Sequence, residues 1–136
     1  KAKKRYSNQK NLIYIWMNAE QLKQIIAKEQ IKRFYIQFCT PIVDARQQHR
    51  QLTHHRFLSS YRELLSLDGD LIFKTDHNIL YLFTLQQIEK AGWEILDEIT
   101  NYASSIYYDK DWNTEWEQNM IEAGKRIYYL RIRPKR

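Results

Sequence analysis

Three short clusters hold the residue types that could do chemistry. The first is the turn Thr40–Arg50, TPIVDARQQHR, which gathers Arg46, His49 and Arg50 within five residues. Lys32 and Arg33 lie at the far end of the apolar run before it. A guanidinium fork matches a phosphate bidentately, so this turn reads either as a phosphate-contacting surface or as a solvated basic loop. The second cluster is Lys74-Thr75-Asp76. A carboxylate there can accept from a base amino group or a sugar hydroxyl, or it can cap a helix starting near Asn78. The third is Thr114-Glu115-Trp116-Glu117. Its first reading is a capping box, with Glu117 at the third helical position. Trp116 can pack in a core or stack on a base.

Other chemistries find little support. His54 and His55 are adjacent, so on a helix they point to different faces. With one cysteine and no HxxxH or CxxC pattern, no metal site is expected. Cys39 sits at a strand end but lacks an evident orienting His–Asp pair, and a small buried residue is the simpler reading. The sequence contains no GxSxG elbow, no P-loop and no GxGxxG. All three glycines, Gly69, Gly92 and Gly124, are expected just past helix ends.

The elements that must position these clusters follow from periodicity. Leu12–Trp16 (LIYIW) is a compact β-rich run, followed by a helix from Ala19 to Lys28 with Leu22, Ile25 and Ile26 on its apolar face. Arg33–Phe38 is a strand. A helix opens at Thr53, carries Phe57, Leu58, Tyr61, Leu64 and Leu65, and ends at Gly69. Asp70–Lys74 is the next strand, Asn78–Lys90 a helix, and Trp93–Ile99 a half-buried strand. Asn101–Asn113 has no period and reads as a long loop. A short helix capped by Thr114 stops at Gly124, and Lys125–Arg133 is a last strand before Pro134. Alternation of this kind specifies an α/β domain over residues 1–136, with a mostly parallel sheet and helices on both faces. In such sheets the ligand crevice lies beyond the carboxyl ends of the strands, where the first two clusters fall.

The chain has 136 residues, 43% hydrophobic, enough for a core, and no apolar run approaches the length of a membrane span. Lys1–Lys10 is basic and polar, the tail of a helix or a frayed end, with no signal-peptide pattern. The single Cys39 excludes an internal disulfide and fits a reducing, cytoplasmic setting. A net charge of +6 permits a polyanionic partner such as nucleic acid. Most of the nineteen aromatic residues (ten Tyr, five Phe, four Trp) are expected in the core.

From about Asn11 onward the chain resembles the C-terminal part of the tRNA (guanine-N7)-methyltransferase family. The resemblance is carried by Arg33–Phe38 with Pro41, Arg46, Arg50, Leu52-Thr53, Arg56-Phe57-Leu58, Tyr61, Gly69, Phe73-Lys74-Thr75-Asp76, Thr114-Glu115 with Glu117, and Gly124 with Ile127-Tyr128. It implies methyl transfer from S-adenosylmethionine (SAM) to N7 of a guanine in the tRNA variable loop. It also implies an incomplete Rossmann-like methyltransferase fold, with an antiparallel last strand and without the first two strands and the Gly-rich SAM turn. The resemblance assigns substrate and tRNA binding to Asp76 and Thr114–Glu117, with Arg46, Arg50 and Lys74 meeting the tRNA backbone. Three positions depart from the family's pattern. Thr40 stands where the family has its catalytic, SAM-contacting acidic residue. Asn18 replaces another acidic SAM contact, and Asp44 replaces a substrate-contacting lysine. The resemblance makes Leu12–Trp16 the family's third strand and Arg33–Phe38 its fourth, which are not natural neighbours. The chain is then expected to be either a piece of a longer protein, the preferred reading, or a sheet that has closed up with the two side by side. A non-catalytic tRNA-binding module or degenerate paralogue is the alternative function, and a basic scaffold without an RNA role is a third.

Overall fold

The computed structural model describes residues 11–106, 108 and 114–136. The basic Lys1–Lys10 segment and part of the Asn101–Asn113 loop lie outside them. Four strands, β1 (Ile31–Gln37), β2 (Leu65–Thr75), β3 (Trp93–Ile99) and β4 (Tyr128–Pro134), form one sheet in the order β1-β2-β4-β3. β1 and β2 are parallel, and β4 runs antiparallel between β2 and β3. Three strands therefore share one direction and the last is reversed, as expected. Among the described residues three α-helices accompany them: α1 (His55–Leu64), α2 (Asn78–Lys90) and α3 (Glu115–Glu122).

The strands alternate, and that alternation divides the core. Leu71 and Phe73 of β2, with Leu130 and Ile132 of β4, face α1 and α2 and pack on Phe57, Leu58, Tyr61, Leu80 and Ile88. The intervening Ile72 and Tyr129 face the other way, onto Tyr102, Ile127 and the α3 residues Met120 and Ile121. Further along that second face a row of alternating charges crosses all four strands. Arg33 donates to Asp70 at 2.6 and 2.8 Å, Arg131 donates to Asp70 at 3.3 Å, and Arg131 donates to Asp97 at 2.7 Å. Burial alone would push the Asp70 carboxyl up; the two guanidinium groups beside it outweigh that and hold it below its ordinary range.

Several expectations are corrected. Leu12–Trp16 is not a strand. Its side chains are exposed, Trp16 completely so at 103%. The run has high β propensity but pairs with none of the described strands, and propensity without a pairing partner does not make a strand. The closed-up sheet with this run beside β1 does not occur. The following Ala19–Lys28 helix is instead a six-residue 3-10 turn, Ala19–Gln24, held to α1 by ion pairs from Arg56 to Glu20 and from Lys23 to Glu63, each at 2.7 Å. Gly69 does not end a helix. α1 stops at Leu64, Leu65 turns extended, and the chain enters β2 with no loop between. Gly69 lies inside β2 at an irregularity: Ile31 pairs with Leu65 and Arg33 with Asp70, so two steps along β1 match five along β2. A Cβ on Gly69 would meet the Lys32 carbonyl oxygen at 3.1 Å, so the glycine serves a close strand approach. Gly92 and Gly124, at φ +73° and +75°, do follow helix ends as expected.

Candidate functional site: the carboxyl ends of β1 and β2

Gln37, the last residue of β1, pairs with Lys74 of β2, so the two strands end side by side. Phe38 then takes a left-handed conformation, φ +54°, with its N–H bonded to the Lys74 carbonyl at 2.9 Å. A non-glycine residue there is strained by about 1–3 kcal/mol and persists only when its surroundings impose it. That conformation ends β1 and leads the chain into Cys39 and Thr40. Thr40 is exposed, and its carbonyl accepts from Gln51 Nε2 at 3.2 Å. Gln51 is buried and also receives the Ile42 N–H at 2.8 Å, so one side chain fixes the start of the turn. Gln51 escapes a reading of the sequence because a glutamine in a polar stretch carries no motif signal. Burial raises the Cys39 thiol out of its ordinary range, consistent with a small packed residue.

The basic turn folds as a second 3-10 segment, Ala45–Arg50. Asp44 caps it, accepting the Arg46 N–H at 3.0 Å, and pairs with the Arg46 guanidinium at 3.2 Å. That guanidinium holds the Asp44 carboxyl below its usual range. Arg46, His49 and Arg50 are all exposed. A small, mostly apolar cleft of about 20 Å³ opens between Pro41, Ile42 and Val43 of the turn and Ile79 and Phe83 of α2.

At the end of β2, Asp76 is half-buried and its carboxylate bonds to no described residue. The cap of α2 is His77, whose Nδ1 accepts the Leu80 N–H at 3.1 Å. The helix-capping reading of Asp76 is therefore replaced. Lys74 is buried rather than facing solvent, and its ammonium meets Glu117 at 3.1 and 3.3 Å. Thr114 caps α3 as its spacing predicts, its hydroxyl accepting the Glu117 N–H at 3.0 Å. Thr114 and Glu115 are exposed, and Trp116 is 55% exposed rather than in the core. Asn18 spends its side-chain oxygen on the Glu20 N–H at 3.0 Å, capping the first 3-10 turn. The structure thus gathers Lys74 with Glu117 and Asp44 with Arg46, and sets Thr40 and Asp76 at adjoining strand ends. Asn18 is engaged in the cap of its own 3-10 turn.

Residues 1–130 match the family model described as "Putative methyltransferase". The chain belongs to that family. Among relatives, a protein named tRNA (guanine-N(7)-)-methyltransferase from Clostridioides difficile (strain 630) is 32% identical over 122 residues, covering 90% of this chain and 56% of that protein. One of the same name from Alkaliphilus oremlandii (strain OhILAs) is 36% identical over 119 residues, covering 87% and 56%. The methyltransferase-family chain therefore spans about half the length of the relatives it matches. Among solved structures, a "Putative DNA Modification Methylase" from Thermus thermophilus, complexed with S-adenosyl-L-methionine, superposes with TM-score 0.51 at 12% identity. That match covers 88% of this chain and 54% of the other, and it establishes a shared methyltransferase fold. No helix among the described residues is long and apolar enough to cross a membrane, and no group of three His, Cys, Asp or Glu among them could hold a metal ion.

Asn18 has its side-chain oxygen committed to a cap, and Thr40 offers one exposed hydroxyl. Neither supplies a charged acceptor, and the sequence has no Gly-rich turn to complement them.

Proposed function

We propose that this chain is the substrate-facing, C-terminal part of a SAM-dependent tRNA (guanine-N7)-methyltransferase domain, acting in the cytoplasm. The observation that carries the proposal is Asp76: a half-buried carboxylate at a strand's carboxyl end, with no described partner and no capping duty. A partly buried acceptor left open in this way suits the amino edge of a guanine. Thr114, Glu115 and Trp116 are exposed at the start of α3, with the Trp116 indole available to a base. Arg46 and Arg50 are exposed cations available to phosphates, Arg46 in competition with Asp44.

The chemistry asks little of these residues beyond holding the guanine still. Guanine N7 already has a free lone pair, so no base need deprotonate it. Bound SAM supplies the methyl group. The chain's part is orientation, which is worth several kcal/mol of barrier when the reacting atoms are held in line. Thr40 in place of an acidic residue is compatible with that division of labour, since no proton has to be removed from N7.

The deciding experiment is transfer of labelled methyl from SAM to tRNA by the full-length protein, with the product nucleoside identified. Methyl at guanine N7, reduced about 5- to 150-fold by Asp76→Ala, is expected from the ~1–3 kcal/mol of a bidentate base contact. Absence of the N7 product, or an Asp76→Ala rate equal to wild type, refutes the proposal.

A further inference from the structure

α3 is only eight residues long, too short to be stable on its own propensity, and Glu117 is its one fully buried residue. The side chain of Glu117 is 0% exposed and that of its partner Lys74 is 8% exposed. The Lys74 ammonium also lies 4.2 Å from the centre of the Tyr102 ring, a further favourable contact for a cation. Tyr102 in turn stacks on Tyr129, the β4 residue paired with Lys74. Burying an ammonium and a carboxylate costs several kcal/mol each, and a well-packed apolar pair would commonly serve stability as well or better. What an apolar pair lacks is direction. Two hydrogen bonds from one ammonium to one carboxylate fix the rotation and the height of a helix turn against a strand.

We infer that Lys74 and Glu117 are positioning residues, an internal pin that sets the first turn of α3 against the carboxyl end of β2. Lys74 is not a phosphate contact and Glu117 is not a substrate contact. They act through what they align: Thr114, Glu115 and Trp116 on the exposed side of the pinned turn, and Asp76 two residues beyond Lys74. The same Lys74 holds Phe38 through its carbonyl, so both polar strand ends are referred to one residue. This inference rests on the proposal above that Asp76 and the start of α3 face the guanine.

The test uses the full-length protein with labelled tRNA, its affinity measured across a salt series, and amide hydrogen exchange read along α3. Lys74→Met is expected to weaken tRNA binding about tenfold and speed α3 exchange by a similar factor, with the slope of log K against log salt unchanged. A slope shallower by about 0.7–0.9 means that a phosphate contact was lost, and overturns the inference. Unchanged affinity with unchanged α3 exchange also overturns it. The charge exchange, Lys74→Glu with Glu117→Lys, is expected to bring both affinity and exchange back to within about threefold of wild type. A folded double variant that binds as poorly as Lys74→Met assigns the residues to direct contacts instead. If the exchange variant does not fold, the Lys74→Met salt slope decides alone. If wild type itself binds no tRNA, the substrate proposal fails. The pin is then judged on hydrogen exchange: faster in Lys74→Met upholds it, and unchanged refutes it.

Discussion

Replacing Gln51 by Met should release the turn that carries Thr40 while leaving the core intact. Gln51 is 3% exposed and makes two strong bonds, one from the Ile42 N–H at 2.8 Å and one to the Thr40 carbonyl at 3.2 Å. Its contact with Cys39 Sγ at 3.4 Å adds a weaker one. Methionine fills nearly the same volume without either polar function. Each lost bond is worth about 1 kcal/mol net, and the half-buried Ile42 N–H, left without a partner, adds about 1 kcal/mol more. The turn should therefore lose about 2–3 kcal/mol of local stability, which corresponds to roughly 30- to 150-fold faster exchange of the Ile42 amide. Amide exchange followed by NMR reads that rate directly, and β2 amides such as Phe73 serve as the internal control. If the Ile42 amide in Gln51→Met exchanges within about threefold of wild type, Gln51 does not organise this turn and the account of how Thr40 is positioned fails.

Two further outcomes follow from the sheet. Gly69→Ala places a Cβ about 3.0 Å from the Ser66 carbonyl oxygen and 3.1 Å from that of Lys32. Because both are backbone atoms with little freedom to yield, a loss of about 1–3 kcal/mol is expected. Thermal melting should show it as a fall of about 3–12 °C, and an unchanged midpoint would contradict the close approach of β1 and β2. Asp70 has a depressed folded-state carboxyl, so its contribution to stability is present above the unfolded aspartate range near pH 4 and is lost as pH falls through the lower folded value. The stability gap between wild type and Asp70→Asn, measured by urea unfolding, should be wide at pH 6 and should narrow steadily toward pH 2. A gap independent of pH would mean that the Arg33–Asp70–Arg131 row is not electrostatic in origin.

Legibility in the sequence depends on whether the deciding interaction is local. α2, β3 and α3 lie where periodicity and capping place them, because a helical apolar face, a Thr114 cap and glycines at positive φ are each set within a few residues. The carboxyl ends of β1 and β2 are likewise readable as the polar end of a parallel pair, and with them the neighbourhood of Thr40 and Asp76. Leu12–Trp16 misleads because a strand is a relation between two segments, and a five-residue run cannot declare its own neighbour. Gly69 misleads for a similar reason: a glycine after an apolar helix face resembles a stop signal, whereas its reason for being there is the Lys32 carbonyl on another strand. Residue types and spacing are enough for the order of strands and helices from β1 onward, the basic turn and the family pattern. Which polar residues stay available to a ligand is a matter for the fold. It buries Lys74 against Glu117, occupies Asp44 with Arg46, spends Asn18 on a cap, and leaves Asp76 open. Lys74 and Glu117 are 43 residues apart, so no local pattern announces their pairing. Even the short-range bonds of Asp44 and Asn18 depend on 3-10 turns that Arg56 of α1 holds in place, through the His49 carbonyl in one and Glu20 in the other.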